Sequence, residues 1–286
     1  MADLRLLRPP LLAYASRNAL AAVLGRIHWG PHDEVTGAVP GSPHLSPRLP
    51  ARPLSLAAVF VIPLISAVVG AAFAVVVATQ YLARRKPYQG VWALALAMFG
   101  VAAAFEAAGQ LAGWSDATYK GYYLFGGLLN VGWLGIGSLL ILTAPRVGRV
   151  AVIVMAVISL ICVVTVLASH TSPTLLKAQV PARGAIDVPG VLPLITNLGG
   201  SLLLIGGAAW SAWRSARAGA PRNRVLGLAV LAAGAFIVAG GHSYAQTKGV
   251  YIAQPLSEAL GILAMFAGYL VVEARRATAT SKPRIA

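Results

Sequence analysis

The sequence predicts an all-α, polytopic transmembrane bundle of seven helices, with its N-terminus outside the cell and its C-terminus in the cytoplasm. Two observations predict this fold. Of the 286 residues, 58% are hydrophobic and only 11% are charged, whereas a soluble domain carries roughly one quarter charged residues. The apolar residues also recur in blocks of about 20, the length that crosses a bilayer as a helix, and they lack the alternation typical of transmembrane β-strands.

The first 54 residues differ from the rest of the chain. Prolines are frequent in this segment and arginines are scattered along it. A segment of this composition cannot bury enough apolar surface to fold by itself, so we expect residues 1–54 to form a partly disordered tail. Arg17 interrupts its one apolar run, which fits an amphipathic helix on the membrane surface better than a secretory signal. The sequence leaves open whether translation starts later and the mature protein lacks this tail.

Seven apolar stretches follow, and each is long enough to cross the membrane as a helix. They cover residues 55–81, 91–113, 121–143, 149–170, 190–213, 224–247 and 253–275. Charge or proline marks their boundaries: RRKP at 84–87 closes the first stretch, PR at 145–146 closes the third, and PR at 221–222 precedes the sixth. We therefore predict a transmembrane domain over residues 55–276 and a short cytoplasmic tail over residues 277–286.

Lys and Arg are distributed unequally between the two sets of connections. One set carries Arg84, Arg85, Lys86, Arg146, Arg149, Arg214, Arg217, Arg222, Arg224, Arg275 and Arg276. The other set carries Lys120, Lys177, Arg183 and Lys248. Because positive residues near helix ends face the cytoplasm, the first set predicts the cytoplasmic side of a multi-pass protein of the inner (plasma) membrane. The net charge of +15 is then a topology signal, and we predict the lipid bilayer, not nucleic acid, as the partner.

No catalytic residue, metal site or cofactor is predicted. The single cysteine, Cys162, lies within an apolar stretch, which excludes a disulfide framework and favours a buried thiol. Haem ligation through His170 and His242 is disfavoured, because His170 ends its stretch at the membrane edge. The last stretch contains no lysine that could carry a retinal Schiff base. Aromatic residues at the ends of the stretches are interpreted as interfacial belts: Trp92, Trp114, Tyr119, Tyr122, Tyr123, Trp210, Trp213 and Tyr251.

Polar side chains within four of the stretches occur in pairs spaced four residues apart, so each pair lies on one helix face. The pairs are Glu106 with Gln110, Asn197 with Ser201, His242 with Gln246, and Gln254 with Glu258. With a rise of about 1.5 Å per residue, one member of each pair lies roughly 8–10 Å from the outer end of its helix. Asn130, on the third stretch, lies somewhat deeper. The sequence therefore places polar groups from four helices in one layer of the outer half.

Two interpretations of this layer remain. Ionisable groups are costly in lipid unless they pair or face inward, so Glu106, His242 and Glu258 are expected to form a cluster that binds a cation, responds to protons or holds a polar ligand group. Alternatively, the layer consists of interhelical hydrogen bonds, worth about 0.6 kcal/mol per contact. The candidate pocket residues are Glu106, Gln110, Asn130, Asn197, His242, Gln254 and Glu258.

The segment FEAAGQLAGWSDATYKGYYLFGGLLNVGWLGIGSLLIL, residues 105–142, resembles uncharacterised bacterial seven-helix membrane proteins. Its layout is also similar to the seven-transmembrane sensory region that precedes some histidine kinases. In those kinases a catalytic region follows the last helix, whereas this chain ends shortly after residue 276. The resemblance therefore implies a sensory bundle that signals through a separate partner.

The leading functional hypothesis is a receptor-like or small-solute or ion-handling bundle with its polar site in the outer half of the membrane. The alternative is an accessory subunit of a larger respiratory or photosynthetic membrane complex that binds lipid or pigment. An intramembrane enzyme would need a catalytic pair that the sequence does not identify.

Overall fold

The computed structural model describes residues 56–177, 183–250 and 252–280, and these segments are predominantly helical. Within these described residues, seven helices are long and apolar enough to cross a membrane, which confirms the predicted all-α, multi-pass architecture. In chain order, α1 covers Leu56–Arg84, α2 Pro87–Ala112, α3 Asp116–Leu142, α4 Pro145–Ala168, α5 Val191–Arg217, α6 Arg222–Lys248 and α7 Ala253–Thr280. The predicted tail at residues 1–54 lies outside the described residues, as do residues 281–286.

The helix ends differ from the predicted limits by a few residues, because local capping sets them rather than apolar composition. Ser115 starts α3: its hydroxyl accepts the Thr118 N–H, and the Thr118 hydroxyl accepts the Ser115 N–H. Pro87 and Pro145 begin α2 and α4, where the missing N–H would have no helical partner in any case. These three helices therefore begin about four or five residues before the apolar stretches predicted from the sequence.

Six of these seven helices form a closed ring. Along the ring α1 packs against α2, α2 against α3, α3 against α5, α5 against α6, α6 against α7, and α7 against α1. Helix α4 packs chiefly against α3, outside the ring, and is the most apolar and least buried of the seven. We call the end of the bundle at which α1 begins the N-side and the opposite end the C-side. The N-side holds the α2–α3, α4–α5 and α6–α7 connections.

Glycines bring α6 and α7 into direct backbone contact. Gly227 lies against the carbonyl oxygen of Gly268, and Gly234 lies against that of Gly261. A Cβ atom added at Gly234 would be 2.7 Å from the Gly261 oxygen. Since close backbone approach is the main source of helix association in lipid, this seam fixes α7 in the ring.

Helices α3 and α5 each contain a π-helical segment, at Tyr123–Leu129 and Leu194–Gly199. Such segments insert an extra residue and often occur at functional sites. Asn197 joins the two, because its side-chain amide donates a 2.6 Å hydrogen bond to the carbonyl oxygen of Gly127. The first α-helical part of α3 ends at Tyr122, and the π segment begins at the next residue. The Tyr122 side chain contacts Gln254 of α7 from this last turn.

Candidate functional site

Two carboxyl groups meet inside the bundle near its N-side. Glu106 of α2 is fully buried, at 0% exposure, and its carboxyl group neighbours that of Glu258 of α7 closely enough for the two to interact electrostatically. Because α2 and α7 are not adjacent in the ring, this pair spans the bundle interior. Two neighbouring ionised carboxylates would repel each other, so a proton on one of them favours this arrangement.

Amide side chains connect this carboxyl pair to neighbouring groups. Gln110 donates from Nε2 to Glu106 Oε1 at 3.0 Å, and Gln254 donates from Nε2 to Glu258 Oε1 at 3.3 Å. Both contacts join residues four apart on one helix face. The Gln254 amide also contacts the hydroxyl of Tyr122 on α3. The network therefore spans three helices and contains four of the predicted pocket residues.

Two buried oxygen atoms without a hydrogen-bond partner lie in this region. Within the described part of the chain, every buried side-chain polar atom that lacks a partner is an oxygen: Gln89 Oε1, Glu106 Oε2, Gln110 Oε1 and Asn130 Oδ1. Two of the four belong to the network around the carboxyl pair. Because buried polar atoms are nearly always hydrogen-bonded, Glu106 Oε2 and Gln110 Oε1 mark positions for a water molecule or for a donor on a ligand.

A cavity of about 580 Å³ opens at the N-side, between the α2–α3 connection and the segment that follows α4. Its polar lining consists of Gln110, Trp114, Ser115, Asp116, Thr171 and Lys177. Asp116 organises the rim, since it accepts a 2.7 Å hydrogen bond from Thr171 and lies 3.1 Å from the Lys120 amine. Gln110 lines the cavity and also donates to Glu106, so this one side chain connects the cavity lining with the carboxyl pair behind it.

Aromatic side chains pack between the cavity and the carboxyl pair. Trp114 contacts Tyr119 and Tyr122 at ring-centroid distances of 5.7 and 5.4 Å. Tyr123 extends the group through Tyr119, at 6.1 Å. Tyr119 is only 2% exposed, which contradicts its interpretation as an interfacial belt residue. The sequence signal that was missed is the spacing of Tyr119, Tyr122 and Tyr123 on one face of α3.

Two other predicted pocket residues lie apart from the carboxyl pair. Asn197 donates its amide to the Gly127 carbonyl and thereby ties α5 to α3, which is the role of an interhelical hydrogen bond. Asn130 is buried at the end of the π segment of α3, about 12 Å along the helix from Tyr122 at the usual rise per residue. A part for either residue in ligand binding stays a prediction.

His242 is partly buried on α6. The preceding residue, Gly241, packs directly against Ser257 of α7. This contact places His242 at the same level of the bundle as Gln254 and Glu258. Whether the imidazole forms an ion pair with the carboxyl groups stays a prediction.

A second polar cluster, which the sequence did not reveal, lies near the C-side. The hydroxyl of Tyr269 and the amide of Gln89 both donate to Gln80 Oε1, at 2.6 and 3.2 Å. Arg84 and Glu273 form a 2.7 Å ion pair at the same end. Gln80 and Gln89 flank the α1–α2 connection, so their sequence positions indicate only interfacial residues. Tyr269 joins these two glutamines only because α7 packs against α1.

Aromatic rings separate the two clusters. Phe73 of α1 stacks on Phe266 of α7 at 4.8 Å and contacts Tyr269 at 5.2 Å. Trp92 of α2 contacts Tyr269 at 6.4 Å and donates from its indole nitrogen to the Leu134 carbonyl. These contacts join four helices of the ring below the carboxyl pair. The interior is therefore packed with rings on the C-side of the candidate site.

Comparisons with protein-family models, curated proteins and solved structures found no match for this chain. The resemblance to bacterial seven-helix sensory regions therefore stays a prediction. The functional interpretation rests on the geometry of the N-side cavity and the carboxyl pair.

Proposed function

We propose that this chain is a receptor-like or solute-handling membrane protein that binds a small solute at the Glu106–Glu258 pair. The observation that carries this proposal is the connection from the N-side cavity through Gln110 to the fully buried Glu106. A carboxyl group at membrane depth is costly and is usually retained for function. Its unpartnered oxygen supports a binding role over a purely structural one.

We place the N-side outside the cell and the C-side in the cytoplasm. The C-side connections carry the Lys and Arg excess, which marks the cytoplasmic face of inner-membrane proteins. In this orientation the cavity opens to the exterior, and the aromatic layer around Phe73 and Phe266 separates it from the cytoplasm. A bundle arranged in this way samples solutes outside the cell and passes information or solute inward through a rearrangement of that layer.

Cysteine accessibility tests the proposal. In a Cys162→Ala background, Gln110→Cys is expected to react in intact cells with two membrane-impermeant methanethiosulfonates, one bearing trimethylammonium and one bearing sulfonate. After each rate is divided by that reagent's rate with free 2-mercaptoethanol, the trimethylammonium reagent should react roughly tenfold faster, because a buried negative charge near the cavity concentrates cations. The measurement is the labelling rate, followed by mass spectrometry in intact cells and in inside-out vesicles.

The matched control is Ala218→Cys, in the α5–α6 connection on the C-side, which should react only in inside-out vesicles. If the thiol of Gln110→Cys reacts only in inside-out vesicles and that of Ala218→Cys only in intact cells, the orientation is the reverse of the one proposed. If the thiol of Gln110→Cys resists both reagents on both sides while that of Ala218→Cys reacts, the cavity does not reach position 110 and the proposed site is refuted.

The accessory-subunit alternative has an observation of its own in favour. A groove of about 550 Å³ runs between α4 and α5 over the surface of α3, and its lining is almost wholly apolar. Gly132, Gly199 and Gly200 form part of this lining, and Arg146 lies at its C-side end. An acyl chain of an anionic lipid fits this chemistry, with its headgroup phosphate against the guanidinium.

We expect phosphatidylglycerol to raise the melting temperature of the purified protein in neutral detergent more than phosphatidylcholine does. Arg146→Gln should remove the difference, because the net negative charge of phosphatidylglycerol, which choline cancels in phosphatidylcholine, then lacks its guanidinium partner. Arg149→Gln, one helical turn away and outside the groove lining, is the control and should preserve it. Equal stabilisation by both lipids would argue against the groove as an anionic lipid site.

A further inference from the structure

The groups around the N-side cavity share a preference for hydrogen-bond donors and positive charge. Glu106 Oε2 and Gln110 Oε1 are buried acceptors without partners, and the Glu258 carboxyl adds further acceptor atoms beside them. An anionic solute would be repelled at this position. A cationic solute that also carries an N–H or O–H donor would satisfy one of these oxygens and balance the charge.

The aromatic group favours an organic cation over a hydrated metal ion. Trp114 lines the cavity next to Gln110, and its ring lies against Gly109, where an added Cβ atom would be 2.5 Å from the indole. The missing side chain at Gly109 therefore allows the indole to lie beside the carboxyl network. Aromatic faces attract weakly hydrated ammonium groups within about 6 Å, and tryptophan does so most strongly.

The charges at the rim do not account for solute selection. Asp116 is paired with Lys120, and Lys177 contributes a positive charge to the lining. Attraction of a cation must therefore come from the groups behind the lining, where Trp114 packs on Tyr122 and Tyr122 contacts Gln254. Tyr122 connects to that pair through Gln254, so the aromatic and acidic groups belong to one site.

We propose that the solute is a small organic ammonium ion whose cationic head contacts Trp114 and Gln110 while the Glu106–Glu258 pair balances its charge. This assignment rests on the proposed function, since it specifies the solute class of the same site. The cavity, at about 580 Å³, has room for a head group with several methyl substituents and a short polar chain.

Choline and its neutral isostere, in which a tert-butyl group replaces trimethylammonium, test the assignment. Choline is expected to raise the melting temperature of the purified full-length protein in a saturable manner, because a ligand that binds only the folded state stabilises it. The isostere has the same shape without the charge and should produce no saturable shift. Sodium chloride at the same ionic strength controls for screening.

Trp114→Leu is expected to weaken the apparent affinity for choline roughly tenfold through loss of the cation–π contact. Trp210→Leu, at an exposed tryptophan of α5, is the matched control and should leave it unchanged. Equal shifts with choline and the isostere, or no shift with either, overturn the ammonium assignment. The wild-type comparison decides this even if Trp114→Leu does not fold. A reactive Gln110→Cys variant together with an unresponsive wild type would refute the solute class and leave the proposed site standing.

Discussion

Replacing Gly234 by valine is expected to lower the free energy of unfolding by about 1–3 kcal/mol, the usual cost of overpacking a close contact. The Cβ atom would come within 2.7 Å of the Gly261 carbonyl oxygen and within 2.8 Å of the Met265 backbone nitrogen. Neither is a flexible side-chain end, so α6 and α7 must move apart. The melting temperature of the purified protein in detergent is the measurement.

Gly240→Val provides the control on the same helix. A Cβ atom at Gly240 meets nothing within 4 Å, so this substitution should leave the melting temperature nearly unchanged. A similar loss of melting temperature in both variants would mean that valine destabilises α6 itself, and that the glycine contact between α6 and α7 is not responsible. Because Gln254 and Glu258 lie on α7, Gly234→Val should also weaken the choline response.

The number and approximate limits of the helices follow from the sequence because lipid imposes them. Each backbone polar group must be satisfied within its own helix, so apolar stretches of sufficient length correspond one to one with α1–α7. Pairing of Glu106 with Gln110, and of Gln254 with Glu258, also follows, since four-residue spacing fixes a shared helix face. These features depend only on local geometry.

The order of the helices around the ring does not follow from the sequence. The proximity of Glu106 and Glu258 depends on α7 closing the ring against α1, while glycine contacts hold α7 against α6. The inward position of Tyr119 and Tyr122 depends on the turn of α3 that precedes a π segment. Hydropathy indicates how deep a residue lies in the membrane but not which side of its helix faces the bundle interior. The sequence therefore assigned Tyr119 and Tyr122 to the interface and did not reveal the cluster of Gln80, Gln89 and Tyr269.

The carboxyl pair yields the most discriminating prediction, which concerns its charge. If Glu106 and Glu258 hold one proton between them, the pair carries one negative charge. Glu258→Gln then replaces a protonated acid by a neutral amide and leaves Glu106 ionised, so the preference of the Gln110→Cys thiol for the cationic reagent should persist. Glu106→Gln should behave in the same way. The double variant removes the charge, and we expect the preference to fall roughly tenfold.

Labelling rates of the introduced thiol at position 110 in the four backgrounds measure this effect, and melting temperatures verify folding. Glu273→Gln is the control, because that carboxyl pairs with Arg84 at the C-side and should not influence the N-side cavity. A partial fall of the preference in each single variant, followed by a further fall in the double variant, would mean that both carboxyl groups are ionised, which contradicts a shared proton. Retention of the preference in the double variant would mean that the attraction arises elsewhere. That outcome would favour the alternative interpretation, in which the pair only holds helices together and contributes about 1 kcal/mol or less to stability.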